Sequence, residues 1–326
     1  MWYNLKSFCG TTHWRGHKGM SLATYIAKKL LASFPVLIGV TFLVFALMYI
    51  SGDPVRIILR EWATPELIES LRKELGLDQP FIVQYITWFS RVLRGEFGFS
   101  YVNRLPVSML LRERIAPTIL LTGTAFLISL GTGVLLGILM AIKHSTKLDT
   151  IISSIIVFFF SIPYFWLAIM FLWVFGAWLK LYSTTAQDLS SRLWLPVLSL
   201  VVPMSAGYAK LTRANMIEVF QQDYIRTARA KGLRERLVIV RHAMKNALLP
   251  IVALAILNVP WLLGGAVVTE YIFGWPGLGS LLVVSIYKSD FPVVQAVTFV
   301  ITVLVIICNV LGDLLMAVLD PRLRVG

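Results

Sequence analysis

The sequence has little charge. Asp, Glu, Lys and Arg make up 14% of its 326 residues, against about 25% in a soluble domain, while 57% are hydrophobic. A chain of this composition reads as an integral membrane protein with several spans. Cysteine is nearly absent: Cys9 and Cys308 stand far apart, which excludes a disulfide framework and a cysteine metal site. Four scattered histidines, His13, His17, His144 and His242, form no ligand cluster. There is no G-x-x-x-x-G-K-[ST] stretch, so the chain has no phosphate-cradling loop of its own. H-E-x-x-H and G-x-S-x-G are missing too. The apolar runs are almost free of the carboxylates and histidines that ion-coupled transporters carry inside their spans. Asp313, near the end of the last run, is read as the exception. No cofactor and no metal are expected in this chain, and energy for uphill transport would come from another subunit.

What is present is six apolar runs. They predict an all-α polytopic membrane protein with six transmembrane helices, a helical segment after span one and further helices between spans four and five. The N-terminal arm is 1–25, span one 26–50, a polar segment 51–115, span two 116–142 and span three 149–179. Span four is 193–217, a polar stretch 218–249, span five 250–272, a turn 273–291, span six 292–318 and a tail 319–326. Each run can cross a hydrocarbon core of about 30 Å. Residues 1–19 are basic and lack the apolar core of a signal peptide, and Met20-Ser21-Leu22-Ala23 reads as a more usual start. Thr64 as cap, Pro65 at the first position and Gly76 as stop predict a short helix. Pro80 to Leu93 predicts an amphipathic helix whose Tyr85, Trp88 and Phe89 suit a membrane interface. Pro163 predicts a kink in span three.

The net charge of +13 invites a nucleic-acid reading, but its distribution argues against one. The side of the termini carries +12 and the opposite side +1. By the positive-inside tendency the termini and the stretch 218–249 lie in the cytoplasm. The basic balance is then topology, and no nucleic acid is expected as partner.

Nine of the thirty Lys and Arg fall between Lys210 and Lys245. Within that stretch Thr227, Ala228 and Ala230 alternate with Arg226, Arg229 and Lys231 and end at Gly232 and Leu233. Alanine favours helix and glycine ends it, so a short helix from Asp223 to Lys231 is predicted, and apolar spacing after Gly232 predicts a second one leading back to the membrane. Small residues admit a close neighbour, and cations suit an acidic one. The competing reading is a plain basic cytoplasmic loop.

This stretch resembles the coupling loop of ABC-importer membrane subunits, whose pattern is Glu-Ala-Ala, three residues, then Gly. Aligned on Gly232, Arg226 and Thr227 replace the Glu and first Ala, while Ala228 keeps the second. The departures match a narrower group, the first permease of the dipeptide/oligopeptide/nickel importers. The runs at 223–233 and 241–250, Gly52-Asp53-Pro54, Trp275-Pro276-Gly277-Leu278-Gly279 and Asp320-Pro321-Arg322 agree with it in order and spacing. The resemblance covers about 20–326.

The resemblance implies a non-catalytic permease subunit that pairs with a second, homologous permease. Two cytoplasmic P-loop ATPases carrying ATP and Mg dock below, and an extracytoplasmic binding protein delivers di- or oligopeptides. It places Arg226, Thr227, Ala228, Arg229, Ala230, Lys231, Gly232 and Leu233 in the ATPase-coupling element. Segment 51–114 becomes the landing surface for the binding protein, with Gly98, Tyr101 and Asn103 of the Gly95–Pro106 loop as candidate contacts. Asn258 and Asn309 are candidates for the translocation path, against the alternative of interhelical hydrogen bonds. Nickel chelates or oligosaccharides remain open as cargo. An ion-coupled secondary transporter or a membrane enzyme are the competing classes.

Overall fold

The computed structural model describes residues 22–52, 55, 59, 64–185 and 188–319. The first 21 residues, Asp53-Pro54 and Asp320-Pro321-Arg322 lie outside the described residues. Helix α1 is Leu22–Ser51, α2 Pro65–Glu74, α3 Phe81–Leu93, α4 Val107–Ile142, α5 Lys147–Ser161 and α6 Tyr164–Phe171, continued by a π-helical turn Leu172–Trp178. Then come α7 Leu189–Phe220 and α8 Asp223–Ala230. Helix α9 starts at Glu235–Leu237, passes through a π-helical turn Val238–Ala243 and ends in Met244–Ala247. Leu249–Ile272 is α10, Leu278–Tyr287 α11 and Phe291–Leu319 α12. Among the described residues there is no strand beyond one isolated bridge, Phe99 to Pro106.

Five helices are long and apolar enough to cross a membrane: Ile26–Ser51, Val107–Ile142, Leu189–Phe220, Leu249–Ile272 and Phe291–Met316. A sixth candidate is a bent pair of helices, a broken span or a re-entrant loop. Lys147–Ser161 and Tyr164–Trp178 meet at 99°, so the predicted single span 149–179 is two helices. Proline explains this: it disfavours helical backbone in the residue before it, and Ile162 is extended, with φ −85° and ψ 129°. Span two begins at Val107, ahead of the predicted 116, because Val107, Leu110 and Leu111 bury a first turn against α11 and α12. Asp188 starts α7 by accepting the Ser190 and Ser191 N–H groups, each at 3.2 Å.

Helices α4 and α7 run in the same direction and in close contact. A Cβ at Gly133 would lie 2.6 Å from Tyr208 Cβ, and one at Gly137 would lie 2.6 Å from the Ala209 carbonyl oxygen. Only glycine permits that approach, which small residues provide in membrane helix pairs. Leu121, Leu200, Tyr208, Leu262 and Trp275 fill the main core between α4, α7 and α10. Lys29 on α1 pairs with Asp313 on α12 at 2.8 Å, so Asp313 is a salt-bridge partner at a helix end.

Helix α3 turns its aromatic face onto α1 and leaves Ile82, Val83, Ile86 and Leu93 exposed. Phe81, Tyr85 and Trp88 pack edge-on or tilted against Phe42, Phe45 and Tyr49 at centroid distances of 5.1–5.7 Å, and Tyr85 Oη lies 3.0 Å from Thr41 Oγ1. At this end of the bundle, the loop end, also lie the Gly95–Pro106 loop and α11. At the opposite end, the α8 end, lie the α4–α5 connection and α8–α9.

Candidate functional site

Helix α8 is too short to hold itself in water, and its packing supplies the order. Ile225 and Ala228, three residues apart and so on one face, are buried against Ala141, Met216, Val238, Ala243 and Ala247. The hairpin beyond turns at Gly232, whose φ of +71° is costly for a residue with a Cβ. Leu233 follows, half-buried in the same cluster.

The opposite face is the exposed one, made by Arg226, Thr227, Arg229, Ala230, Lys231 and Gly232. Two residues of the stretch are engaged by the chain itself. Ala228 faces its own bundle and cannot enter a partner's groove. Arg229 is bound within the hairpin: its Nη2 and Nε donate to Glu235 at 2.6 and 3.2 Å, and its guanidinium lies 5.5 Å from the centre of the Phe220 ring. The Glu235 bonds raise the Arg229 pKa further. Tyr224 Oη accepts from Asn246 Nδ2 at 2.9 Å, tying α8 to α9.

The hairpin stands on an ion pair that the sequence reading missed. Arg213 on α7 donates to both oxygens of buried Asp149 at 2.7 Å through Nε and Nη2, with His144 Nδ1 3.3 Å from the carboxylate. Ser145, at φ +64°, adds its N–H at 3.1 Å. The turn after α4, the start of α5 and α7 are thereby joined.

At the loop end, the sequence candidates Gly98, Tyr101 and Asn103 come together in one tight turn. Val107 N donates to Gly98 O at 3.0 Å, and Asn103 N to Ser100 Oγ at 2.9 Å. Tyr101 is half-buried, and burial together with the nearby Asp290 carboxylate pushes its hydroxyl up to about 12. Glu270, inside span five, corrects the expectation that Asp313 is the exceptional acid of the spans. It is fully buried and accepts from Thr118 Oγ1 and Gly279 N, both at 2.6 Å, and from Ser280 N at 3.1 Å. The start of α11 thus meets a carboxylate, the charge that a helix N-terminus favours. Gly277 and Gly279 are needed because a Cβ at either would meet that carboxylate. The sequence shows here an acid seven residues before Gly277 at the end of an apolar run, a pattern that reads equally as a span boundary. Asn258 Nδ2 donates to Tyr208 Oη at 3.4 Å, and Asn309 is exposed on α12.

Known proteins resemble this chain. Residues 133–325 match the family model "Binding-protein-dependent transport system inner membrane component", and 22–122 match its N-terminal companion. The chain is 36% identical over 315 residues to an oligopeptide transport system permease protein of Bacillus subtilis, covering 93% of this chain and all of the relative. It is 37% identical over 304 residues to a glutathione transport system permease protein of Escherichia coli K12, covering 93% and 99%. Among solved structures, an inward-facing MetNI methionine ABC transporter matches 66% of this chain and 98% of its own, with a TM-score of 0.56 at 19% identity; this shows a shared fold. These matches show that the chain belongs to the family of binding-protein-dependent transport system inner membrane components, as a permease subunit of an ABC importer.

Proposed function

We propose that this chain forms half of the path through which an ATP-driven importer takes up di- or oligopeptides. The observation that carries the proposal is the two-faced α8, whose Ile225 and Ala228 are locked into the bundle while Arg226, Ala230 and Lys231 stand exposed. A cytoplasmic ATPase docks on that exposed face, and the rigid hairpin passes its movement to α4 and α7. The chain itself is non-catalytic, and two P-loop ATPase subunits carry ATP and Mg. A second, homologous permease completes the path. Both termini face the cytoplasm, in keeping with the +12 to +1 charge division. A solute-binding protein lands on the loop end, at α2, α3 and the Gly95–Pro106 loop. Peptide cargo is supported by the oligopeptide and glutathione relatives.

Affinity purification from the native membrane tests the reading. A second six-span permease, P-loop ATPases and vanadate-sensitive ATP hydrolysis are expected, with peptides stimulating hydrolysis through the co-encoded binding protein. Uptake driven by a proton or sodium gradient after deletion of the ATPases would overturn it. Stimulation by nickel chelates or oligosaccharides alone would overturn the peptide assignment.

A further inference from the structure

Asp290 occupies the residue before α12, where an aspartate ordinarily turns its carboxylate onto the first N–H groups of its own helix. Here it does not. Oδ2 accepts from Ser100 Oγ at 2.5 Å and Oδ1 from Tyr101 N at 3.0 Å, so both oxygens go to a turn that precedes α4. Asp290 is 2% exposed. Its own backbone is fixed by a bond from its N–H to Ser285 O at 2.9 Å and one from Val294 N to its carbonyl at 3.0 Å. Ser100 is the centre of the held turn: its Oγ also accepts from Asn103 N, and its backbone exchanges bonds with Leu105 O at 2.9 Å and Arg104 N at 3.0 Å.

The turn so held has one packed side and one open side. Phe97, Gly98, Phe99 and Tyr101 form a wall of a cleft of about 870 Å³, with Trp88 and Arg91 of α3 among the residues across from them. Phe99, Val102 and Leu105 are exposed apolar residues at its tip. An apolar tip gains little from an unrestrained loop, because a partner would have to order it on binding. A tip fixed beforehand avoids that cost.

We infer that Asp290 is a positioning residue for capture of the binding protein: it holds the Gly95–Pro106 turn in one orientation from the α11–α12 junction. This rests on the reading above that the turn meets the binding protein. Binding therefore depends on a residue some 190 positions away in the chain, and the turn moves with α11 and α12 rather than independently.

The test uses the whole importer in nanodiscs, purified with its own ATPases and second permease, and its co-encoded binding protein as probe. Asp290→Ala and Ser100→Ala should each raise the binding-protein concentration that half-stimulates ATP hydrolysis about tenfold. The maximal and unstimulated rates should stay unchanged, and the double variant should be no worse than either single one. Asp290→Asn, which keeps one acceptor, should fall between. Spin labels at Val102→Cys and Lys288→Cys should give a single narrow distance in the wild type and a broad one in Asp290→Ala. Equal half-stimulation and equally narrow distances overturn the inference, as does loss of maximal rate with half-stimulation unmoved. Absence of any stimulation in the wild type would instead overturn the underlying importer reading.

Discussion

Glu270 and Thr118 join span five to span two through a hydrogen bond of 2.6 Å in which the hydroxyl donates to the carboxylate. Thr118 also accepts from Leu278 N at 2.8 Å, so a single side chain serves α4, α10 and α11. Thr118→Val keeps the shape and removes both bonds, leaving a buried carboxylate short of a donor. A loss of about 2 kcal/mol follows, and the apparent melting temperature in detergent should drop by several degrees. Thr118→Ser should melt close to wild type; equal melting of Thr118→Val and wild type would refute this role.

Gly137→Ala places a methyl group against Thr212 and the Ala209 carbonyl. The overlap should destabilise by about 1–3 kcal/mol. Gly131 lies on the same helix with open space around it, so Gly131→Ala should stay within about 0.5 kcal/mol of wild type. Thermal melts of the two purified variants decide the matter. Thr212 Oγ1, buried beside Gly137, has no hydrogen-bond partner among the described residues. Thr212→Val should therefore leave stability equal or raise it by about 1 kcal/mol.

Arg213→Ala strips buried Asp149 of its bidentate partner. Removing one side of a buried pair costs about 3–5 kcal/mol, so a sharp fall in folded yield is expected on size-exclusion chromatography. The exposed Arg229–Glu235 pair is worth much less, about 0.2–1 kcal/mol. Arg229→Ala should fold normally, and the exchange of the two charges should retain the pair. Lys231→Glu alters the exposed face without touching that pair, and should reduce co-purification of the ATPases more than Arg229→Ala does.

Gly232 has φ +71° and nothing within 4 Å of a built Cβ. Gly232→Ala should thus cost only backbone strain, roughly 1 kcal/mol, and Gly232→Asn less. A bulky Gly232→Trp should fold like Gly232→Ala yet lower stimulated ATP hydrolysis. Equal hydrolysis in the two variants would remove Gly232 from the contact surface.

Much of this was legible in the sequence, for local reasons. The caps at Thr64, Gly76 and Gly232, the apolar lengths of the spans and the α8 helix depend on near neighbours, and the sequence displays near neighbours. The inward turn of Ala228 and the Arg229–Glu235 pair depend on which way a short helix rolls when it meets Met216 and Val238, and a small residue gives no sign of that. Glu270, Asp290 and the Asp149–Arg213 pair escaped for another reason. Arg213, Thr118 and Ser100 lie 64, 152 and 190 residues from the acids they bind, so an acid at the end of an apolar run looks like a boundary marker until the fold brings these donors to it. Pro163 was read as a kink because a proline alone does not set the angle. The extended backbone at Ile162 does.

That 99° break has a consequence for solvation. A helix that starts at Pro163 begins with N–H groups lacking intrahelical acceptors, and Pro163 makes no side-chain cap for them. Ser161 spends its hydroxyl on the Val157 carbonyl at 2.8 Å. Hydrocarbon offers such groups nothing, and irregular backbone at membrane depth survives only against protein or a water-filled space. The elbow between α5 and α6 is thus a stretch of surface that lipid wets poorly, and in a bilayer its free N–H groups call for protein or water against them.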